Sequence, residues 1–147
     1  MKRTWLNTNI PFHPSPMYFM GEFDVYDREE SLGEYLNQFD PNDRAEVNQL
    51  LRKLFFQGAR AQVLTSAHKK VLVESLLGAL RDPDYDFLSV FEPEEADTFC
   101  LPFDWEINNG RLFFEEVYRL ALEFWGAELD RQGMSLPSLS ELDIAPA

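Results

Sequence analysis

Asp82, Asp84 and Asp86 in "DPDYDF" stand at alternate positions, the spacing of the first three ligands of an EF-hand calcium loop. Such a loop also needs a glycine at its sixth position, for the sharp turn, and a bidentate glutamate at its twelfth. Here those residues are Phe87 and Pro93, so the spacing points to no dedicated calcium site. His13 and His68 are the only histidines and lack the paired spacing of a helical zinc motif. His68, beside Lys69 and Lys70 one turn into a helix, reads as a surface histidine. Cys100 lies among acids and apolar side chains in "DTFCLP", which favours the thiol over the thiolate nucleophile, and it reads as buried. The chain has no nucleophile elbow, phosphate-binding loop or dinucleotide fingerprint, and no carboxylate pair stands out for acid–base work. The expectation is a non-catalytic protein that uses neither metal nor cofactor.

What the same stretch offers is charge. Between Arg81 and Arg111 the sequence holds nine carboxylates and no lysine or arginine, interleaved with Tyr85, Phe87, Phe91, Phe99, Phe103 and Trp105. The aromatic rings require burial and the acids require water or a cation, so the pattern predicts carboxylates displayed on a partly apolar scaffold. A basic protein is the matching partner: complementary fields raise association rates, and aromatic anchors supply affinity. The residues expected to meet it are Asp82, Asp84, Asp86, Glu92, Glu94, Glu95, Asp97 and Asp104, with Tyr85 and Trp105 as anchors.

The whole chain carries a formal charge of −13, sorted by position. Residues 1 to 43 sum to −5, residues 44 to 81 to +5, and residues 82 to 147 to −13. The basic middle block either cancels acids within the molecule or forms a docking surface of its own. The acidic balance opposes binding to phosphate backbones and anionic lipid, and no run approaches the roughly 18 apolar residues of a membrane span. With a lone cysteine and no apolar run after Lys2 and Arg3, a cytoplasmic location is expected.

The elements that must position these residues are helical. "DREESLGEYLNQF" spaces Leu32, Tyr35, Leu36 and Phe39 three and four apart, predicting a short helix. "DPND" supplies Asp40 as N-cap, Pro41 at the first helical position and Asp43 at the positive end of a helix over 41–57 that Gly58 stops. Ser66 caps a second helix to Arg81, apolar over most of its circumference. After the turn "NNG", the longest helix runs over 110–132 to Gly133. It carries two stripes: Phe113, Val117, Leu120, Ala121 and Phe124; and Phe114, Tyr118, Leu122, Trp125 and Leu129.

Residues 1 to 26, with three prolines and six aromatics, read as an extended arm over the core, and 134–147 as a loosely attached tail. With 147 residues and 45 % hydrophobic content, the chain can bury a core without disulfides or metals. The fold expected is a mostly α, irregular helical bundle over 1–133, with α+β carrying a small N-terminal hairpin as the alternative. The function expected is that of a bacterial immunity protein, forming a one-to-one complex with a basic toxin such as a nuclease. A secretion chaperone for an effector, and a nucleic-acid mimic that blocks a defence complex, are the alternatives.

Overall fold

The computed structural model describes Phe19, Phe23, residues 29–87, Trp105, Ile107, Asn108 and residues 110–138, with the Arg60 and Glu29 side chains excepted. The described residues contain helices and turns and no strand, a mostly α architecture. In chain order, a π-helical turn Glu29–Gly33 leads into α1 (Glu34–Leu36). Next, α2 (Arg44–Leu50) continues as a π-helical segment Leu51–Phe56. They are followed by α3 (Ala59–Gln62), α4 (Ser66–Arg81) and α5 (Gly110–Arg131).

α5 is the organising element, packed against α4, α2 and the π segment. Its two stripes are the reason. Phe113, Val117, Leu120 and Ala121 on one side and Phe114, Tyr118, Trp125 and Leu129 on the other are all buried, so two faces of one helix carry the core. α4 answers with Leu72, Val73, Leu76, Leu77 and Leu80, and α2 with Val47 and Leu50. In the π segment the Gln57 N–H donates to the Arg52 carbonyl at 2.9 Å, five residues back. Phe55 and Phe56 are adjacent in sequence yet both buried there. Phe55 meets Phe19 at 5.1 Å and Trp125 at 6.0 Å between ring centroids, while Phe56 stacks on Phe124 at 5.2 Å.

The helix boundaries differ from expectation in two places. Asp43, not Asp40, is the N-cap of α2: its Oδ1 accepts from the N–H groups of Ala45 at 2.9 Å and Glu46 at 3.3 Å. Asp40 instead closes the preceding turn, its side chain accepting from Asn42 N–H at 2.9 Å, while Glu46 reaches back to Asp40 N–H at 3.3 Å. Asp43 and Glu46 have the aspartate-x-x-glutamate capping spacing, with Glu46 accepting from Asp40 N–H rather than from the cap's own, and Pro41 lies in the turn before the helix. Likewise Thr65, not Ser66, caps α4, its hydroxyl accepting from His68 N–H at 3.1 Å. Ser66 is the first helical residue, and its hydroxyl donates to Glu128 on α5.

α5 ends as its sequence implies. Gly133 takes φ +86°, with Met134 N–H donating to Leu129 O at 2.9 Å and Gly133 N–H to Asp130 O at 3.0 Å, the paired bonds of a Schellman motif. The chain then stays on the core further than the sequence implied. Met134 and Leu136 pack against it, and the Tyr118 hydroxyl donates to Pro137 O at 2.6 Å. The rest of the expected tail, 139–147, lies outside the described residues. At the other end Phe19 and Phe23 are fully buried, Phe23 at 6.1 Å from Phe113, and both have helical-turn backbone. The rest of the expected arm over 1–26 lies outside the described residues.

Candidate functional site

The acidic run begins where α4 ends. Asp82 is the C-cap, its backbone extended, its N–H donating to Ala79 O at 3.2 Å. Its Oδ1 accepts from Asp84 N–H at 2.9 Å and its carbonyl from Tyr85 N–H at 3.2 Å, a turn in which Pro83 supplies the fixed φ. The turn sorts the side chains as their chemistry demands. Asp82, Asp84 and Asp86 are exposed, Tyr85 is half-buried and Phe87 is buried.

Phe87 fixes the segment to the core. Its ring lies 4.7 Å from Tyr85 and 5.4 Å from Phe114, with the Arg111 guanidinium 5.9 Å from its centroid. Arg111 also donates to Leu80 O at the C-terminal end of α4 and holds Glu115 at 3.3 Å. One cation thus joins the two helices that flank the run and covers the ring at its start. Burial, and secondly the charge of Asp86, pushes the Tyr85 phenol above its ordinary range, so it remains a neutral donor at the edge of the acidic surface.

Trp105, at the far end of the run, is half-buried; its indole N–H donates to Leu36 O at 2.9 Å and its ring lies 5.9 Å from Phe23. Its polar end is engaged within the fold. Glu92, Glu94, Glu95, Asp97 and Asp104 lie outside the described residues, as do Phe91, Phe99, Phe103, Cys100 and His13.

The basic block has internal partners. Arg44 lies 3.7 Å from Glu115 and 3.5 Å from Glu116. Arg52 makes a two-pronged pair with Glu123, one prong at 2.7 Å, and donates through Nε to Asn48 at 2.7 Å. That pairing raises the Arg52 guanidinium and lowers the Glu123 carboxyl. Lys69 holds Glu128 at 2.7 Å, and this bond, with the one from Ser66, keeps the Glu128 carboxyl below its ordinary range. Lys53 instead donates to the Tyr35 hydroxyl at 3.1 Å. Each of these ion pairs runs from the basic block to α5.

Two polar residues lie deeper than the sequence reading placed them. His68 is buried, not on the surface, with its Nδ1 2.7 Å from the Thr65 hydroxyl. Glu116, only 3 % exposed, sits on the first apolar stripe of α5. Its Oε2 accepts from Asn48 Nδ2 at 2.6 Å, tying α5 to α2, whereas its Oε1 has no hydrogen-bond donor. Spacing did carry both signals: position 68 precedes Leu72 by four, and position 116 follows Phe113 by three.

Among the described residues no three His, Cys, Asp or Glu side chains come together as a metal site. None of the described helices is long and apolar enough to cross a membrane. Comparison with protein-family models, with curated proteins and with solved structures finds no match to this chain.

Proposed function

We propose that this chain is an acidic, non-catalytic binding protein that inhibits a basic protein partner, in the manner of a cytoplasmic bacterial immunity protein neutralising a cognate toxin. The supporting observation is the direction of the internal ion pairs. Arg44, Arg52 and Lys69, cations of the basic block, are taken up by Glu115, Glu116, Glu123 and Glu128 of α5. These three cations are engaged by α5, while the stretch between Arg81 and Arg111 holds nine carboxylates and no lysine or arginine in its sequence. Asp82, Asp84 and Asp86 stand exposed beside a half-buried tyrosine, on a turn fastened to the core by Phe87 and Arg111.

In this reading lysine and arginine side chains of the partner meet these carboxylates through charge-assisted hydrogen bonds. Tyr85 presents an aromatic anchor with a neutral hydroxyl, and long-range attraction speeds encounter. A basic nuclease is the natural target, because covering its phosphate-binding surface inhibits it without any chemistry by the inhibitor. The test is co-expression with the product of the gene adjacent to this one in its host. The reading expects a one-to-one complex, and growth arrest by the neighbour that this chain relieves. A toxic neighbour that neither binds the chain nor is relieved by it would contradict the assignment.

A further inference from the structure

The contacts between them show that α2 and the π segment run parallel to α5. Arg44 lies 3.7 Å from Glu115; Arg52, two turns further along its own helix, pairs with Glu123, two turns further along α5, at 2.7 Å. Asn48, midway between the two arginines, donates to Glu116 at 2.6 Å and accepts from Arg52 Nε at 2.7 Å. On α5 the charges alternate at steps of four, Arg111, Glu115, Arg119 and Glu123, which places them along one face of the helix. The opposing seam reads arginine, asparagine, arginine. Each guanidinium therefore meets a carboxylate, and the uncharged Asn48 falls level with Arg119.

Apolar packing alone does not choose this alignment. Phe113, Val117, Leu120 and Phe124 recur every three or four residues, so the buried Val47 and Leu50 would still meet apolar side chains after a slide of one turn. The charges do choose. One turn toward the start of α5, Arg44 would face Arg111 and Arg52 would face Arg119. One turn the other way, Arg44 would face Arg119 and Arg52 the uncharged Ala127. Either slide also moves Asn48 from Glu116 to a leucine, Leu112 or Leu120, and takes from a carboxylate only 3 % exposed the donor that satisfies its Oε2. We propose that the alternating charges of α5 lock the register of α2, with the Asn48–Glu116 bond as its pin. Such pairs add little stability one by one; what they supply is the difference between alignments.

The lock reaches the acidic run. Leu36 and Asn42, which precede α2, hold the far end of that run: the Trp105 indole N–H donates to Leu36 O and the Asn108 N–H to Asn42 Oδ1, both at 2.9 Å. A slide of one turn, about 5.4 Å, would carry these anchors with it. The register of α2 thus sets where the run ends relative to its start at Arg111 and Leu80. The lock belongs to the fold and does not depend on what the run binds.

The experiment measures the separation of two spin labels by electron double resonance. The labels sit on the exposed positions of Ala45→Cys and Asp130→Cys, in a Cys100→Ser background. The parent chain should give one separation. Arg44→Glu with Arg52→Glu sets like charges together in the native register and opposite charges together one turn toward the start of α5. A component longer by about 5 Å should appear. Arg44→Gln with Arg52→Gln, which introduces no repulsion and is the milder change, should broaden the distribution to include slid registers. Circular dichroism establishes that each labelled variant is folded. The native separation alone in either folded variant, with nothing changed but the unfolding midpoint, would reduce these pairs to ordinary stabilising contacts and overturn the proposal.

Discussion

The guanidinium of Arg111, in the first turn of α5, donates to the carbonyl of Leu80 in the last turn of α4. The two residues bracket the acidic run and bring its ends together. A cation at a helix C-terminus is favoured by the helix dipole, and this one also covers the Phe87 ring. Arg111→Met keeps most of the apolar stem and removes the charge. It should lower stability by about 1–3 kcal/mol, as loss of a charged hydrogen bond does. Urea unfolding measures this, and an unchanged midpoint would show that the bracket contributes nothing.

The two-faced burial of α5 and the apolar circumference of α4 define the core, so truncation there must leave cavities. Leu76→Ala and Phe113→Ala, at positions 0 % and 3 % exposed, should each cost roughly 2–5 kcal/mol. Chemical denaturation that finds either change neutral would contradict the packing described.

Gly58 follows the π segment at a close approach of the backbone to itself. A Cβ added there would stand 2.5 Å from Leu54 O, with no flexible side chain to yield. Gly58→Ala should therefore destabilise by about 1–3 kcal/mol, the range for forced overpacking. A melting temperature equal to wild type would mean that the turn relaxes freely.

The Glu128 carboxylate is held below its ordinary value of 4.5 by hydrogen bonds from Lys69 first and Ser66 second. Because its folded pKa lies below the unfolded one, the stabilisation is present above about pH 4.5 and is lost as pH falls through the folded value. Glu128→Gln should cost about 1 kcal/mol at neutral pH, and the difference from wild type should shrink in acid. Parallel stability curves from pH 7 to pH 3 would exclude a role for this carboxylate in the pH dependence.

The three main helices were legible because their apolar positions recur at helical spacing, and Gly58 and Gly133 mark the ends of two of them. The caps were misplaced by one to three residues because "DPND" and "TS" each offer more than one side chain able to cap, and geometry chooses between them. Asp43 prevails in the first because Asp40 closes the turn. His68 and Glu116 were missed for another reason: both carry polar labels, and position on the apolar face was outweighed by residue type. Their hydrogen-bond partners, Thr65 and Asn48, reach them only once the chain is folded. The same holds for the ion pairs of Arg52 and Lys69, whose carboxylates lie 71 and 59 residues away, a distance at which composition reveals charge balance but not pairing.

The central claim is that the carboxylates between Arg81 and Arg111 steer a basic partner, and its most direct test is the association rate of that complex. Wild type and the four-fold variant Asp84→Lys, Asp86→Lys, Glu94→Lys, Glu95→Lys are compared by stopped-flow, with circular dichroism establishing that both are folded. At low salt the variant should associate at least tenfold more slowly. In 1 M salt, where the Debye length falls to about 3 Å, the two rates should converge. Equal association rates for the two folded proteins at low salt would contradict the claim.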